Sequence, residues 1–153
     1  MTPCYEYVSS EMPFRVRRRV RWSECDPAGV VYAGRFADYL LDTCGLFFTQ
    51  IGFGPGDRLY QGRPFGLPAK HFSLTFATSL YPEDEFDMEV RVAEVRNRTF
   101  DLVITAKLLD GRVAFEGKCA PICIIPEVRQ SIPIPEALRD ALVPHLLEKE
   151  ATP

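Results

Sequence analysis

From Phe14 to Trp22 the chain alternates, with Phe14, Val16, Val20 and Trp22 on one side and Arg15, Arg17, Arg19 and Arg21 on the other. A period of two is that of a half-buried strand. Arg18 interrupts the apolar side, which predicts a strand at a sheet edge or against an interface, where a guanidinium reaches water or a partner. Between residues 33 and 51 the period changes: Phe36, Leu40, Cys44, Phe47 and Ile51 recur every three or four positions, one face of a helix. Gly52 follows it and suits a left-handed C-terminal cap. Gly and Pro punctuate residues 53–64, a loop.

The remainder reads as strands. Residues 66–80 form a long one, and Phe86, Met88, Val90 and Val92 alternate with Asp87, Glu89 and Arg91 in the next. Beyond the turn Arg96-Asn97-Arg98, the residues Phe100, Leu102, Ile104, Ala106 and Leu108 line one face of another. Asp110-Gly111 is a hairpin signal leading to a last strand over 112–125. Pro133 and Pro135 introduce a short C-terminal helix, residues 135–142, which Pro144 kinks or ends.

Strand, long helix, four strands and a small helix make an α+β chain with a five-stranded antiparallel sheet. One helix covers one face of such a sheet. Val95, Val103, Leu109, Ile122 and Ile124 are expected on the other, where an apolar face calls for a second subunit. At 153 residues the whole chain, 1–153, is expected to be a single domain.

Composition narrows the class of protein. Apolar residues at 46% and charged residues at 25% exclude a disordered or fibrous chain. A net charge of −3 argues against a nucleic-acid partner, so the Arg-rich strand reads as a solvated face and any anion site must be local. The five cysteines (Cys4, Cys25, Cys44, Cys119 and Cys123) lack the spacing of a disulfide framework; Cys119 and Cys123, with no second pair and a distant His, make a weak zinc candidate, and buried free thiols of a cytoplasmic protein are the better reading. Neither a signal peptide nor a membrane span is expected, and no metal or other cofactor.

Candidate chemistry concentrates in Trp22-Ser23-Glu24-Cys25-Asp26-Pro27-Ala28-Gly29-Val30-Val31-Tyr32, between the first strand and the long helix. Asp26 on a tight turn can present a carboxylate to a cleft, and the helix beginning near Ala33 offers unpaired N–H groups there. Such donors polarise an acyl carbonyl and hold the oxyanion of a tetrahedral intermediate, while the carboxylate attacks the carbonyl or activates a water. The plainer reading of Asp26 is an Asx-turn residue, and of Gly29 a turn glycine with positive φ. Cys25 with His71 as base lacks a third orienting residue.

The same stretch, with the order of elements and the tail Ile134-Pro135-Glu136-Ala137-Leu138, resembles the hotdog-fold acyl-CoA thioesterases, above all the 4-hydroxybenzoyl-CoA thioesterase class. The resemblance covers nearly the whole chain. It implies a curved sheet wrapped around one central helix, two copies paired so that their sheets run together as a homodimer assembled into a tetramer, and hydrolysis of an acyl-CoA or aryl-CoA ester. By the same resemblance Asp26 is catalytic, the Ala33 backbone N–H binds the thioester oxygen, and Gly29, Tyr32 and Gly34 line the substrate. Asp42, on the helix, is the reserve carboxylate, since another thioesterase branch carries its acid there. Arg96, Asn97 and Arg98 match a basic cluster for the coenzyme A phosphates, to which guanidinium forks are suited.

The chain departs from these relatives at Ala33-Gly34-Arg35-Phe36, where many have His or an aromatic residue, then Pro or Ala, then Asn-Tyr. Small residues there widen an acyl pocket. Two other readings keep the fold. A hydratase or dehydratase expects a His five residues after the Asp, where this chain has Val31, and a noncatalytic acyl-CoA-binding protein would use Asp26 only as a turn residue.

Overall fold

The computed structural model describes residues 4–148; the first three and last five residues of the expected 1–153 domain lie outside the described residues. In chain order the elements are β1 (Glu6–Glu11), β2 (Phe14–Arg19), α1 (Arg35–Gln50), β3 (Leu59–Tyr60), β4 (Arg63–Pro64), β5 (Ala69–Phe76), β6 (Glu85–Val95), β7 (Phe100–Leu108), β8 (Val113–Pro121), β9 (Ile124–Ile125), β10 (Gln130–Ser131) and α2 (Glu136–Leu142). Among the described residues β1, β2, β6, β7, β8 and β5 form, in that order, one antiparallel sheet. α1 lies against one of its faces.

Alternation decides what faces the helix. Phe14, Val16, Phe86, Met88, Val90, Leu102, Ile104, Ala106 and Phe115 are fully buried, and they meet Tyr39, Leu40, Cys44 and Phe47 of α1. Gly117 sits at the closest approach. A Cβ there would lie 2.2 Å from Leu40 Cδ1, so the bare backbone of β8 lets the helix come down onto the sheet.

The sheet has six strands where five are expected. The additional one is β1, whose Glu6-Tyr7-Val8-Ser9-Ser10-Glu11 is too polar to alternate and is recruited by pairing with β2. Because β1 holds the edge, β2 is an interior strand and Arg18 is not at a rim. Its side chain is 11% exposed and pairs with Glu24 and Glu6. β2 also stops at Arg19, and Trp22, expected in the apolar row, lies in a 3-10 turn over Trp22–Glu24 and is 71% exposed.

The helix is shorter than 33–51. Ala33 and Gly34 form a turn, which leaves the 16 residues of α1, about 24 Å at 1.5 Å per residue. Gly52 has φ +89°, the expected left-handed cap. The 66–80 strand contracts to β5, and the 112–125 strand divides into β8 and β9. The C-terminal helix lies where expected, with Pro144 in a 3-10 turn after it.

The outer face of the sheet is not the apolar patch expected. A bulge between Val92 and Glu94 shifts the register, and Val95 packs against the core. Ile122 and Ile124 belong to the segment that leaves the sheet, so Val103 and Leu109 remain on the outer side. The register between β2 and β6 instead sets Arg15, Arg17 and Arg19 opposite Glu89, Asp87 and Glu85, and all three pairs close, at 2.8, 2.8 and 3.1 Å. Cross-strand ion pairs thus absorb the arginine row.

Candidate active site

The motif between β2 and α1 folds into a small tied loop. Cys25 and Val31 form an isolated antiparallel bridge, and the Asp26 N–H donates to the Val30 carbonyl at 2.9 Å. Inside it runs the turn Asp26-Pro27-Ala28-Gly29, closed by the Gly29 N–H donating to the Asp26 carbonyl at 2.9 Å. Pro27 suits the second turn position by its fixed φ. Gly29 adopts φ +81°, which a side chain resists. The Ala28 N–H donates to Asp26 Oδ1 at 2.8 Å, so Asp26 is an Asx-turn residue. Its other carboxylate oxygen has no hydrogen-bond partner among the described residues.

The loop hands the chain directly to α1. The Val31 N–H donates to the Leu80 carbonyl, and the Tyr32 N–H to the Glu24 carbonyl at 3.0 Å. The Arg35 and Phe36 N–H groups then close turns onto Tyr32 and Ala33. The N–H groups of Ala33 and Gly34 meet no protein acceptor among the described residues. They are orphan donors at the positive end of a helix.

A cavity of about 250 Å³ opens at this point, lined by Val30, Val31, Ala33, Phe36, Phe76 and Leu80 among others. Its floor is rigid. Phe36 packs edge-on against Phe76 at 4.9 Å and Phe115 at 5.1 Å between ring centroids. A cavity with an apolar wall of Val, Ala, Phe and Leu side chains and a polar one of Thr78 and Ser79, beside orphan N–H groups and a carboxylate-bearing turn, can hold an acyl group with its carbonyl at the donors and an oxygen acid nearby. The structure thus brings Asp26 and Ala33 to one loop, with six residues between them. Tyr32 does not line the cavity; its ring lies against Gly34, where a Cβ would lie 2.5 Å from Tyr32 Cε1. Gly29 is at the loop tip, with open space around its Cα.

Asp42 is placed elsewhere. It is an exposed residue on the second turn of α1, and partial burial, with Glu6 nearby, raises its carboxyl above the usual value. It does not line the cavity. His71 is exposed on β5 and Cys25 donates weakly to the Arg21 carbonyl, so the two are not partners. Among the described residues no group of three or more His, Cys, Asp or Glu could hold a metal ion. Among the described residues no helix is long and apolar enough to cross a membrane.

The 96–98 turn lies beside a groove of about 520 Å³ lined by Lys70, His71, Arg96, Thr99, Asp101 and Lys118. Arg96 donates two bonds to Asp101, at 2.6 and 2.9 Å, and one each to Glu94 and Thr99. Lys118 Nζ stands 3.2 Å from Asp101 Oδ2, the oxygen that also accepts from Arg96 at 2.9 Å. Arg96 foremost, working against burial, and Lys118 with it, hold the Asp101 carboxyl below its usual value. Arg98 donates to the Ser131 carbonyl and hydroxyl, and the Asn97 carbonyl accepts from Ile134. Sequence reasoning missed Lys70, Lys118 and Asp101, because only the β5–β8–β7 register brings them together.

Comparison with known proteins follows this geometry. Residues 20–142 match the model of the thioesterase-like superfamily. A 1,4-dihydroxy-2-naphthoyl-CoA hydrolase of Microcystis aeruginosa is 27% identical over 128 residues, 84% of this chain and 90% of that protein. Among solved structures, a 1,4-dihydroxy-2-naphthoyl-CoA thioesterase from Synechocystis superposes with a TM-score of 0.76 at 19% identity, covering 85% of this chain and 95% of that one. A Staphylococcus aureus protein in complex with CoA gives 0.81 at 14% identity over 99% and 94%. With residues 20–142 matching that model and the fold shared with solved thioesterases, the chain belongs to the thioesterase-like superfamily of hotdog proteins.

Proposed function

We propose that this protein hydrolyses an acyl-CoA or aryl-CoA thioester to the free acid and coenzyme A. The observation that carries the reading is the pair of orphan N–H groups at Ala33 and Gly34, with Ala33 in the wall of a partly apolar cavity next to the Asp26 turn. The thioester carbonyl accepts from Ala33, the first of these donors, and its oxygen gains negative charge as the carbonyl is attacked. Asp26, through the oxygen that Ala28 leaves free, attacks the carbonyl carbon or takes a proton from the water that does. Collapse of the intermediate expels the coenzyme A thiolate, leaving the free acid on the water route and, on the nucleophilic route, an acyl anhydride on Asp26 that a water then hydrolyses to the acid and the free carboxylate. Val31, buried at the position a hydratase would give to histidine, supplies no proton for β-carbon chemistry.

The assembly we propose is a homodimer through β5. This strand is a free sheet edge, exposed along almost its whole length, with Phe72 and Phe76 about half exposed. Two copies related by a two-fold axis would pair their β5 edges antiparallel. The Phe76 end of one, at its acyl cavity, then meets the Lys70-His71 end of the other, at its cationic groove. In this reading Arg96, Asn97 and Arg98, with Lys70 and Lys118, receive the nucleotide phosphates of a substrate whose acyl group sits in the partner copy, and Gly29, Tyr32 and Gly34 flank its pantetheine arm. A tetramer of two such dimers and a cytoplasmic location, which the buried free thiols Cys44, Cys119 and Cys123 suit, complete the proposal. Nucleic acid and membranes are not expected partners, since the outward arginine row is already paired.

The test is release of free thiol from a panel of acyl-CoA and aryl-CoA esters, with light scattering for the assembly. Hydrolysis of at least one ester by a dimer or tetramer is expected. Tight ester binding without thiol release across the panel would leave the noncatalytic reading standing instead.

A further inference from the structure

Glu24 is a buried carboxylate that the proposed chemistry does not use. Its Oε1 accepts from Arg18 Nη2 at 2.5 Å. Its Oε2 accepts from the Arg21 N–H at 3.1 Å and from the Tyr39 hydroxyl. The Arg18 guanidinium in turn lies over the Tyr39 ring, 4.5 Å from its centroid, and makes a second pair with Glu6. The main chain of Glu24 faces the other way, and its carbonyl accepts from the Tyr32 N–H at 3.0 Å. One residue therefore ties β2, through Arg18, to the second turn of α1, through Tyr39, and to the chain entering that helix, through Tyr32. Asp26 begins its turn two residues on.

Removing a carboxylate from water is costly, and an apolar residue would close the same space without that cost. What a fully bonded buried carboxylate adds is direction, because each partner fixes it along a different line. Burial works against the Glu24 charge, but Tyr39, the Arg21 N–H and Arg18 outweigh it and hold the carboxyl below its usual value, so it stays ionised. We propose that Glu24 is a positioning residue, setting the distance and angle between the Asp26 carboxylate and the Ala33 and Gly34 N–H groups. The inference rests on the reading of those groups as the reacting set.

Glu24→Gln keeps the shape and removes the charge, so the amide no longer accepts from Arg18 and Tyr39 on both oxygens. Expected is a fall in kcat of about tenfold to a hundredfold with KM for a hydrolysed CoA ester changed less than about twofold, the effect of misplacing reacting groups rather than of losing binding. Faster hydrogen exchange of the Gly29, Val31 and Tyr32 amides is expected with it. The double variant Arg18→Met with Glu24→Gln leaves only Glu6, a quarter exposed to water, without its partner, and its Tm is expected to recover toward wild type while kcat stays low. Recovery of both in the double variant, wild-type kcat in Glu24→Gln, or unchanged exchange of those amides would overturn the proposal. Asp26→Asn measured alongside separates the two claims. Full hydrolysis by that variant overturns the reading of the site, while the exchange result, which needs no turnover, still decides whether Glu24 holds the turn.

Discussion

Replacing Asp101 with asparagine should weaken the fold and strengthen binding of coenzyme A. The carboxylate is 6% exposed, while its partners Arg96 and Lys118 are 40% and 47% exposed. Breaking a pair buried on both sides costs about 3–5 kcal/mol, and an exposed pair is worth about 0–1. Here the acid is dry but both cations can turn to water, and Asn retains an acceptor, so the loss should fall between, at about 2 kcal/mol. For a domain of this size each kcal/mol moves Tm by roughly 2–4 °C, which sets a drop of about 4–8 °C in calorimetry.

The binding effect has the opposite sign. The groove holds Lys70, Arg96 and Lys118 against the single charge of Asp101, and the substitution removes that charge. A unit charge about 7 Å from a phosphate in water-like dielectric is worth about 0.6 kcal/mol, or about threefold in Kd. Titration calorimetry with coenzyme A should show that gain at low salt and lose most of it near 1 M, where screening acts within about 3 Å. A variant that melts lower as expected but binds coenzyme A no more tightly at low salt would refute the phosphate assignment.

Other outcomes are equally specific. Gly117→Ala forces a methyl into Leu40, fully buried, and should cost about 1–3 kcal/mol by denaturant unfolding; an unchanged midpoint would mean that α1 does not sit on β8. Gly29→Ala meets no neighbour, so its cost, about 1 kcal/mol, should come from φ +81° alone and be accompanied by lower kcat as the Asp26 turn shifts. The carboxyls of Asp101 and Glu24 are both held below their usual values, so their stabilisation is complete above about pH 4 and is lost as pH falls through the lower folded values. Acid unfolding should therefore be steeper below about pH 4 for wild type than for Asp101→Asn, with the stability gap between them closing there. Parallel acid curves would contradict the assignment.

The strands with a strict period of two were legible because one face of each is buried against α1: Met88 and Val90 could only point inward once Asp87 and Glu89 pointed out. The Asp26 loop was legible through its Pro-Ala-Gly turn and the helical period that follows. β1 was not, because its six residues carry no apolar alternation and their order comes from pairing with β2. Arg18 misled for a related reason. A lone charge in an apolar row signals a rim unless its partner is known, and Glu24 and Glu6 reach it only in three dimensions. Val95 was misplaced by a bulge that shifts parity, which no alternation count registers. The cationic groove draws one residue or two from each of several strands, so it exists only as a consequence of register.

The central claim is that Asp26 acts at a thioester carbonyl polarised from the start of α1. Asp26→Asn preserves an acceptor for the Ala28 N–H and hence the turn, while removing the nucleophile or base. The measurement is kcat/KM for thiol release from the best CoA ester found, wild type against Asp26→Asn, with Tm recorded for both. The account predicts a loss of about 10²-fold or more at nearly unchanged Tm. Hydrolysis at the wild-type rate by a folded Asp26→Asn protein would contradict it.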